Sequence, residues 1–274
     1  MDCSSSITRR LFLFLTGGLL AKLGYASAAA EESNKKALSA TDIMQRMAET
    51  YKSCKSYQDS GTVTTIFHHK DGKQHESLKP FTTAFVRPDR FRFEFKDSFD
   101  GHKWHRYIVW ARGKEIRTWW DIRSKLEQHD SLAFGLAGPT GVSGGSAHTI
   151  PALLLPDQIP GSRLTKLTEL KRLDDADIGE IGCYRVQGKK RDFKITAAER
   201  DRLQQKILKI SGRLPEEAQH GATVIWIDKV TFLVRRIEEK VQFESFRTES
   251  TTEYNPLVNA AVPEKDLEFD QSEK

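Results

Sequence analysis

The chain has 274 residues, with 38% in the large apolar set, 30% charged and only 9 proline, which is enough for one large domain or two small ones and excludes disorder over most of the length. Three cysteines cannot build a disulfide scaffold, and no run of about 20 apolar residues is present to cross a bilayer as a helix, so a soluble chain is expected. A formal charge of +5 is too small an excess to point to nucleic acid.

Residues 1–30 read as an export signal: a cationic start at Arg9-Arg10, an uncharged stretch from Leu11 to Ala21 closed by Lys22, and small residues at Ala26-Ser27-Ala28-Ala29-Ala30. Thr8-Arg9-Arg10-Leu11-Phe12-Leu13 resembles the twin-arginine form of bacterial signal, with Phe14 where that pattern most often carries Lys. Gly17 and Gly18 thin out the apolar stretch, which suits that route; an ordinary Sec signal that contains Arg-Arg is the alternative. Cys3 precedes the apolar stretch, so it is not placed as the acylated Cys of a lipoprotein. A mature chain of residues 31–274 in the periplasm is expected, and losing Arg9, Arg10, Lys22 and Asp2 leaves it +3 of the original +5. Cys54 and Cys183 remain in an oxidising compartment, either bridged or as two separate buried thiols.

Ile43, Met44, Met47 and Tyr51 fall on one face at helical spacing, with Ser39 or Thr41 as N-cap, and predict a helix over 40–54. From Ser60 the period becomes two, with Val63, Thr65 and Phe67 alternating up to the hairpin dipeptide Asp71-Gly72. A second strand ends at Phe85-Val86-Arg87-Pro88. In Arg90-Phe91-Arg92-Phe93-Glu94-Phe95-Lys96 three aromatics share one face and four charges the other, the pattern of an antiparallel sheet covered on one side and wet on the other. After a turn at Asp100-Gly101, Trp104, Ile108 and Trp110 extend the pattern, and a turn at Arg112-Gly113-Lys114 leads to Ile116, Thr118 and Trp120. Four or five hairpin-linked strands make a meander.

Residues 131–147 carry Gly135, Gly138, Gly141, Gly144 and Gly145, too many for a helix interior, and read as a mobile segment. A short apolar helix follows from Thr149 to Leu155, bracketed by Pro151 and Pro156. Strands return at Leu167 to Leu173 and Ile181 to Val186, joined by an acidic turn containing Asp174, Asp175, Asp177 and Gly179. Thr196-Ala197-Ala198-Glu199 is a capping box and Gly212 a stop, which predicts a charged surface helix over 197–210. Strands at Thr223 to Ile227, Leu233 to Phe243 and Phe246 to Tyr254 follow, and Leu267-Glu268-Phe269 offers a last edge strand. No linker or internal repeat divides the chain. The fold class is therefore α+β: a single domain around a long, strongly curved antiparallel sheet with few helices.

Catalytic chemistry is not legible. The histidines at 68, 69 and 75, and the pair at 102 and 105, sit in turn and strand pattern, where positions three apart point to opposite faces, so no metal site is expected. The acids at 174, 175, 177 and 180 lack the spacing of a calcium loop. No nucleophile elbow, zinc-protease helix, phosphate loop or dinucleotide fingerprint is present in the mature chain, and neither mature cysteine has a histidine near it in sequence. A non-enzymatic chain without cofactor or metal is expected. What the sheet offers instead is apolar area, because a curved sheet with one or two helices to cover it leaves wall for a ligand. The competing reading is that the helix at 40–54 and the segment at 149–155 plug the concavity as an ordinary core.

Asp42-Ile43-Met44 and Tyr51 leading into Ser56-Tyr57-Gln58-Asp59, then Phe85-Val86-Arg87-Pro88-Asp89-Arg90-Phe91-Arg92, resemble the opening of the periplasmic lipoprotein-carrier superfamily, the Lol carrier and receptor group with its outer-membrane lipoprotein-sorting relatives. Ile225-Trp226-Ile227-Asp228-Lys229 with Val234-Arg235-Arg236-Ile237 is similar to that family's late hairpin, and Tyr254-Asn255 through Asn259, Val262-Pro263 and Phe269 to its closing segment. The resemblance covers most of residues 40–270 and implies an unclosed half-barrel with a helical lid over an apolar cavity that holds acyl chains of lipids or lipoproteins. The helix at 197–210 departs from it as an insertion. Phe91, Phe93, Phe95, Trp104 and Trp110 are the candidate cavity residues, with Leu153, Leu154 and Leu155 as lid. An envelope sensor or interaction module, contacting another protein through the charged outer face and the helix at 197–210, is the alternative, with peripheral membrane contact as a further expectation.

Overall fold

A computed structural model describes residues 37–98, 101–190 and 218–270, with Asp201, Arg202, Gln205 and Leu208 between them. The export signal lies outside the described residues. So does most of the expected 197–210 helix, including its capping box and Gly212; the four positions described there are helical.

Helix α1 (Ala40–Ser53) starts at a reciprocal capping box in which Ser39 Oγ accepts from Asp42 N and the Asp42 carboxylate accepts from Ser39 N. It buries Ile43, Met44, Met47 and Tyr51, the spacing of one helical face. Strands β1 (Ser56–His69), β2 (Gln74–Val86), β3 (Arg90–Asp97), β4 (His105–Arg112), β5 (Glu115–Trp120) and β6 (Lys125–Gln128) then form the predicted meander. Next come α2 (Leu132–Val142), α3 (Ser146–Thr149) and α4 (Pro151–Leu154). The second half adds β7 (Thr168–Ile178), β8 (Ile181–Lys189), β9 (Gln219–His220), β10 (Ala222–Asp228), β11 (Val234–Gln242), β12 (Phe246–Tyr254) and β13 (Leu257–Val258).

Among the described residues these thirteen strands make one sheet in the order β6-β5-β4-β3-β2-β1-β12-β11-β10-β8-β7, with β13 beside β1 and β9 beside β11. Every pairing is antiparallel, and β6 and β7 end the order without pairing each other, so the sheet is an unclosed half-barrel. Register sets what lines its concave face. Phe91, Phe93 and Phe95 stand opposite Phe85, Thr83 and Phe81 on one side and Ala111, Val109 and Tyr107 on the other. Tyr57, Asp59 and Gly61 of β1 continue the same rows. A Cβ at Gly61 would run into the Phe81 ring and the Glu253 carbonyl, so only glycine lets β1 and its neighbours close up there.

Several expectations are corrected. Residues 132–142 are helix despite three glycines, because Ser131 Oγ caps Phe134 N and the buried Leu132, Leu136 and Pro139 hold the helix on the sheet. Gly135 permits that approach, since a Cβ there would stand 3.2 Å from Ile116 Cγ2. Packing overrides the helix cost of glycine, about 1 kcal/mol per residue. The acids at 174, 175 and 177 are not a turn: β7 runs through them to Ile178, with Asp175 held by Arg172 and Lys229. Leu267 to Phe269 is not an edge strand; a 3-10 turn at Glu264–Leu267 leads it across the outer face of the sheet. Cys54 and Cys183 are both buried free thiols.

Candidate functional site

The concave wall is the place to look for function. Its aromatic row packs in an unbroken series of ring contacts: Tyr254 with Phe81, Phe81 with Phe93, Phe93 with Phe95, Phe95 with Tyr107, and Tyr107 with Trp120, with centroids 5.5 to 6.3 Å apart. Across it lie α1 and the segment from Leu132 to Leu167. Phe91, Phe93 and Phe95 share one buried cluster with Ile43, Met47, Leu153, Leu154 and Leu155. Six of the eight sequence-predicted residues, all but Trp104 and Trp110, thus meet in space.

Trp104 and Trp110 do not join them. Trp104 precedes β4 and is 46% exposed. Trp110 stands opposite Arg92 rather than Phe91 or Phe93, so strand alternation turns it to the convex face. There its Nε1 donates to the Leu267 carbonyl at 2.7 Å, and its ring meets Phe269. The expectation that too little chain is present to roof the wall is also corrected, because α1 and residues 132–167 fill it with their own side chains.

Polar groups fasten the roof, among them the Arg163 guanidinium, which pairs with the Glu239 carboxylate at 3.3 Å. Arg87, at the end of β2, donates to the carbonyls of Lys52 (2.6 Å), Cys54 (2.7 Å), Leu154 (2.8 Å) and Tyr51 (3.3 Å) while stacking on Phe85. One guanidinium therefore neutralises the negative carboxyl end of α1 and holds the end of α4. Tyr51 Oη accepts from Val234 N at 3.0 Å, and Arg172 donates to the Leu38 carbonyl at 2.8 Å. In the sequence Arg87 stands at a strand end within Phe85-Val86-Arg87-Pro88, and nothing local marks the carbonyls it reaches.

Beneath α1 lies a carboxyl that alternation with Val63 could have placed inward. Asp59 Oδ1 accepts from Asn255 N at 2.8 Å and Oδ2 from Tyr57 Oη at 3.0 Å. Burial pushes its pKa up to about 7, offset in part by those hydrogen bonds and by Arg235. Burial likewise drives the Tyr57 and Tyr254 hydroxyls well above their ordinary range.

Two hollows touch the roof. One, about 20 Å³, lies between Arg163, Lys190 and Glu239 and has room for about one water. The other, about 270 Å³, is a groove along the seam between α1 and residues 152–166, floored by Ala48, Ala152, Leu153, Pro156 and Ile159. Among the described residues no group of His, Cys, Asp and Glu is arranged to hold a metal, and no helix is long and apolar enough to cross a membrane.

No family model and no curated protein matches the chain. Solved structures do. The lipoprotein LprF from Mycobacterium bovis is 13% identical over 82% of this chain and 94% of its own, with a TM-score of 0.40. The lipoprotein LppX from Mycobacterium tuberculosis is 11% identical over 82% and 97%, with a TM-score of 0.39. A LolA superfamily protein from Nitrosomonas europaea is 11% identical over 85% and 99%, with a TM-score of 0.30. Each of these likenesses is at 13% identity or less, with a TM-score of 0.40 or less.

Proposed function

We propose that the protein is exported to the periplasm and holds acyl chains of lipids or lipoproteins against the aromatic wall of its half-barrel. Phe91, Phe93 and Phe95 form the wall, and α1 with Leu153, Leu154 and Leu155 the displaceable roof. The observation that carries this reading is that Phe91, Phe93 and Phe95 are covered by segments outside the sheet, which Arg87 ties together at one end and a groove with an apolar floor borders. An acyl chain that replaces roof side chains keeps the wall out of water. Each buried CH₂ contributes about 0.8 kcal/mol, so a partly inserted chain binds without any catalytic group.

Native mass spectrometry of protein purified from periplasm tests this, alongside titration with a fluorescent fatty acid. Co-purifying lipid and saturable uptake are expected; a protein that is both empty and unable to take up the probe rules the reading out. A second reading, an envelope sensor or interaction module, draws on the closed state of the wall. Capture of an envelope protein by a chain that takes up no acyl probe would favour it.

A further inference from the structure

The groove on the roof seam is not uniformly apolar. Its floor is Ala48, Ala152, Leu153, Pro156 and Ile159, but its rim carries Lys52 from α1 and Lys166 from the facing segment. Among the described residues neither ammonium has a carboxylate partner. The one acid at the rim, Glu49, accepts a hydrogen bond from Gln45 at 2.8 Å. Ser162, 7% exposed, also lines the groove, and its Oγ has no hydrogen-bond partner among the described residues. A hydroxyl left unpaired in a buried position is destabilising unless something completes it.

These features fit one kind of occupant. The floor takes hydrocarbon, the two lysines supply a net positive rim after Glu49 is counted, and Ser162 supplies a donor. With about 270 Å³ the groove is near the small end of ligand sites. We infer that the groove between α1 and residues 152–166 selects single-chain amphiphiles with an anionic head, the head lying on Lys52, Lys166 and Ser162 and the chain entering along the seam.

A solvated single charge at one end does not lower the hydrophobic gain of the chain, so the head adds discrimination without replacing acyl affinity. The two lysines stand on the two elements that must part for a chain to enter. An anion between them offsets their mutual repulsion as the seam fills. This inference rests on the acyl-binding reading and deepens it by naming the head-group class.

Oleate and oleyl alcohol share one chain and differ in charge, so their affinities for the full-length mature protein separate the two ideas. The wild type is expected to bind oleate about tenfold more tightly at low salt. In a Lys52→Gln, Lys166→Gln double variant the two affinities are expected to converge, and in Ser162→Ala the preference is expected to shrink. Lys171→Gln, on exposed β7 away from the groove, serves as a control for loss of net charge. Equal affinities in the wild type, or a full oleate preference in the double variant, would overturn the head-group assignment and leave acyl binding standing. If neither probe binds the wild type, both readings fail.

Discussion

Arg87 donates from Nη2 to the carbonyl oxygen of Leu154 at 2.8 Å, so a strand of the wall reaches directly to the end of the roof. The same nitrogen reaches the Lys52 carbonyl at 2.6 Å, which ties the two roof elements to one side chain. Removing this charge strips α1 and α4 of a shared anchor without opening a hole in the aromatic row. An Arg87→Met variant is expected to lose on the order of 2 kcal/mol of stability, the scale of hydrogen bonds to a charged group. Hydrogen exchange over residues 40–53 and 151–154 is expected to speed up more than exchange in β3 and β4, and uptake of a fluorescent fatty acid to become faster. Protection of the roof equal to that of the wild type would contradict its role as an anchor.

Asp59 gives the core a pH dependence of known sign. Its pKa rises from 3.8 to about 7 on folding, so between those values the folded protein holds a proton that the unfolded chain has released. Stability contributed by this group is therefore full below the unfolded value, falls as pH rises through the window, and levels off above about pH 7. A three-unit shift corresponds to roughly 4 kcal/mol at most. Urea unfolding of wild type and Asp59→Asn between pH 4 and 8 measures it as a difference, which removes the opposite slope of Glu94 and Asp228, whose pKa values are lowered. The stability gap between the two proteins is expected to shift toward the variant as pH rises; a gap independent of pH would contradict the assignment.

Glycines in this chain do two different jobs. At Gly141 in α2 an added Cβ meets nothing within 4 Å, so Gly141→Ala is expected to stabilise by a few tenths to about 1 kcal/mol through helix propensity. At Gly61 the Cβ would collide with Phe81 and the Glu253 carbonyl, and Gly61→Ala is expected to destabilise by about 1–3 kcal/mol. Thermal unfolding of the two variants checks both signs.

That contrast also marks how far the sequence could be read. The alternation of Phe91, Phe93 and Phe95 with charged neighbours located the wall, and the spacing of Ile43, Met47 and Tyr51 located the helix that covers it, because both patterns are local and periodic. The glycine content of residues 131–147 suggests mobility because it speaks only of the isolated helix. What makes α2 a helix is its fit to Ile116 on β5, a contact 19 residues away that no local window contains. The same limit misplaced Trp110. Its side of the sheet follows from its register against Arg92, and the apolar neighbours on both sides of β4 hid that alternation. The contacts of Arg87 and Lys166 are not legible in the sequence, since they depend on which carbonyls and which groove the fold brings to them.

The convex placement of Trp110 carries its own consequence. Its Nε1 holds the Leu267 carbonyl at 2.7 Å, so Trp110→Phe is expected to cost about 1 kcal/mol and to make residues beyond 260 more sensitive to protease. Trp104→Phe, at a 46% exposed site, is expected to change stability by no more than about 0.5 kcal/mol. Equal losses from the two substitutions would contradict this division of the sheet into two faces.

An acyl chain held as proposed lies on the concave wall. Trp120 belongs to that wall through Tyr107, whereas Trp226 pairs across the strands with Arg185 and Arg236, whose guanidiniums stack on its ring. Two single-tryptophan proteins, one keeping Trp120 and one keeping Trp226, titrated with a fatty acid brominated along its chain, report where the chain goes. Strong quenching of Trp120 with Trp226 unaffected is the result predicted here; quenching of neither, or of both to the same extent, would contradict it.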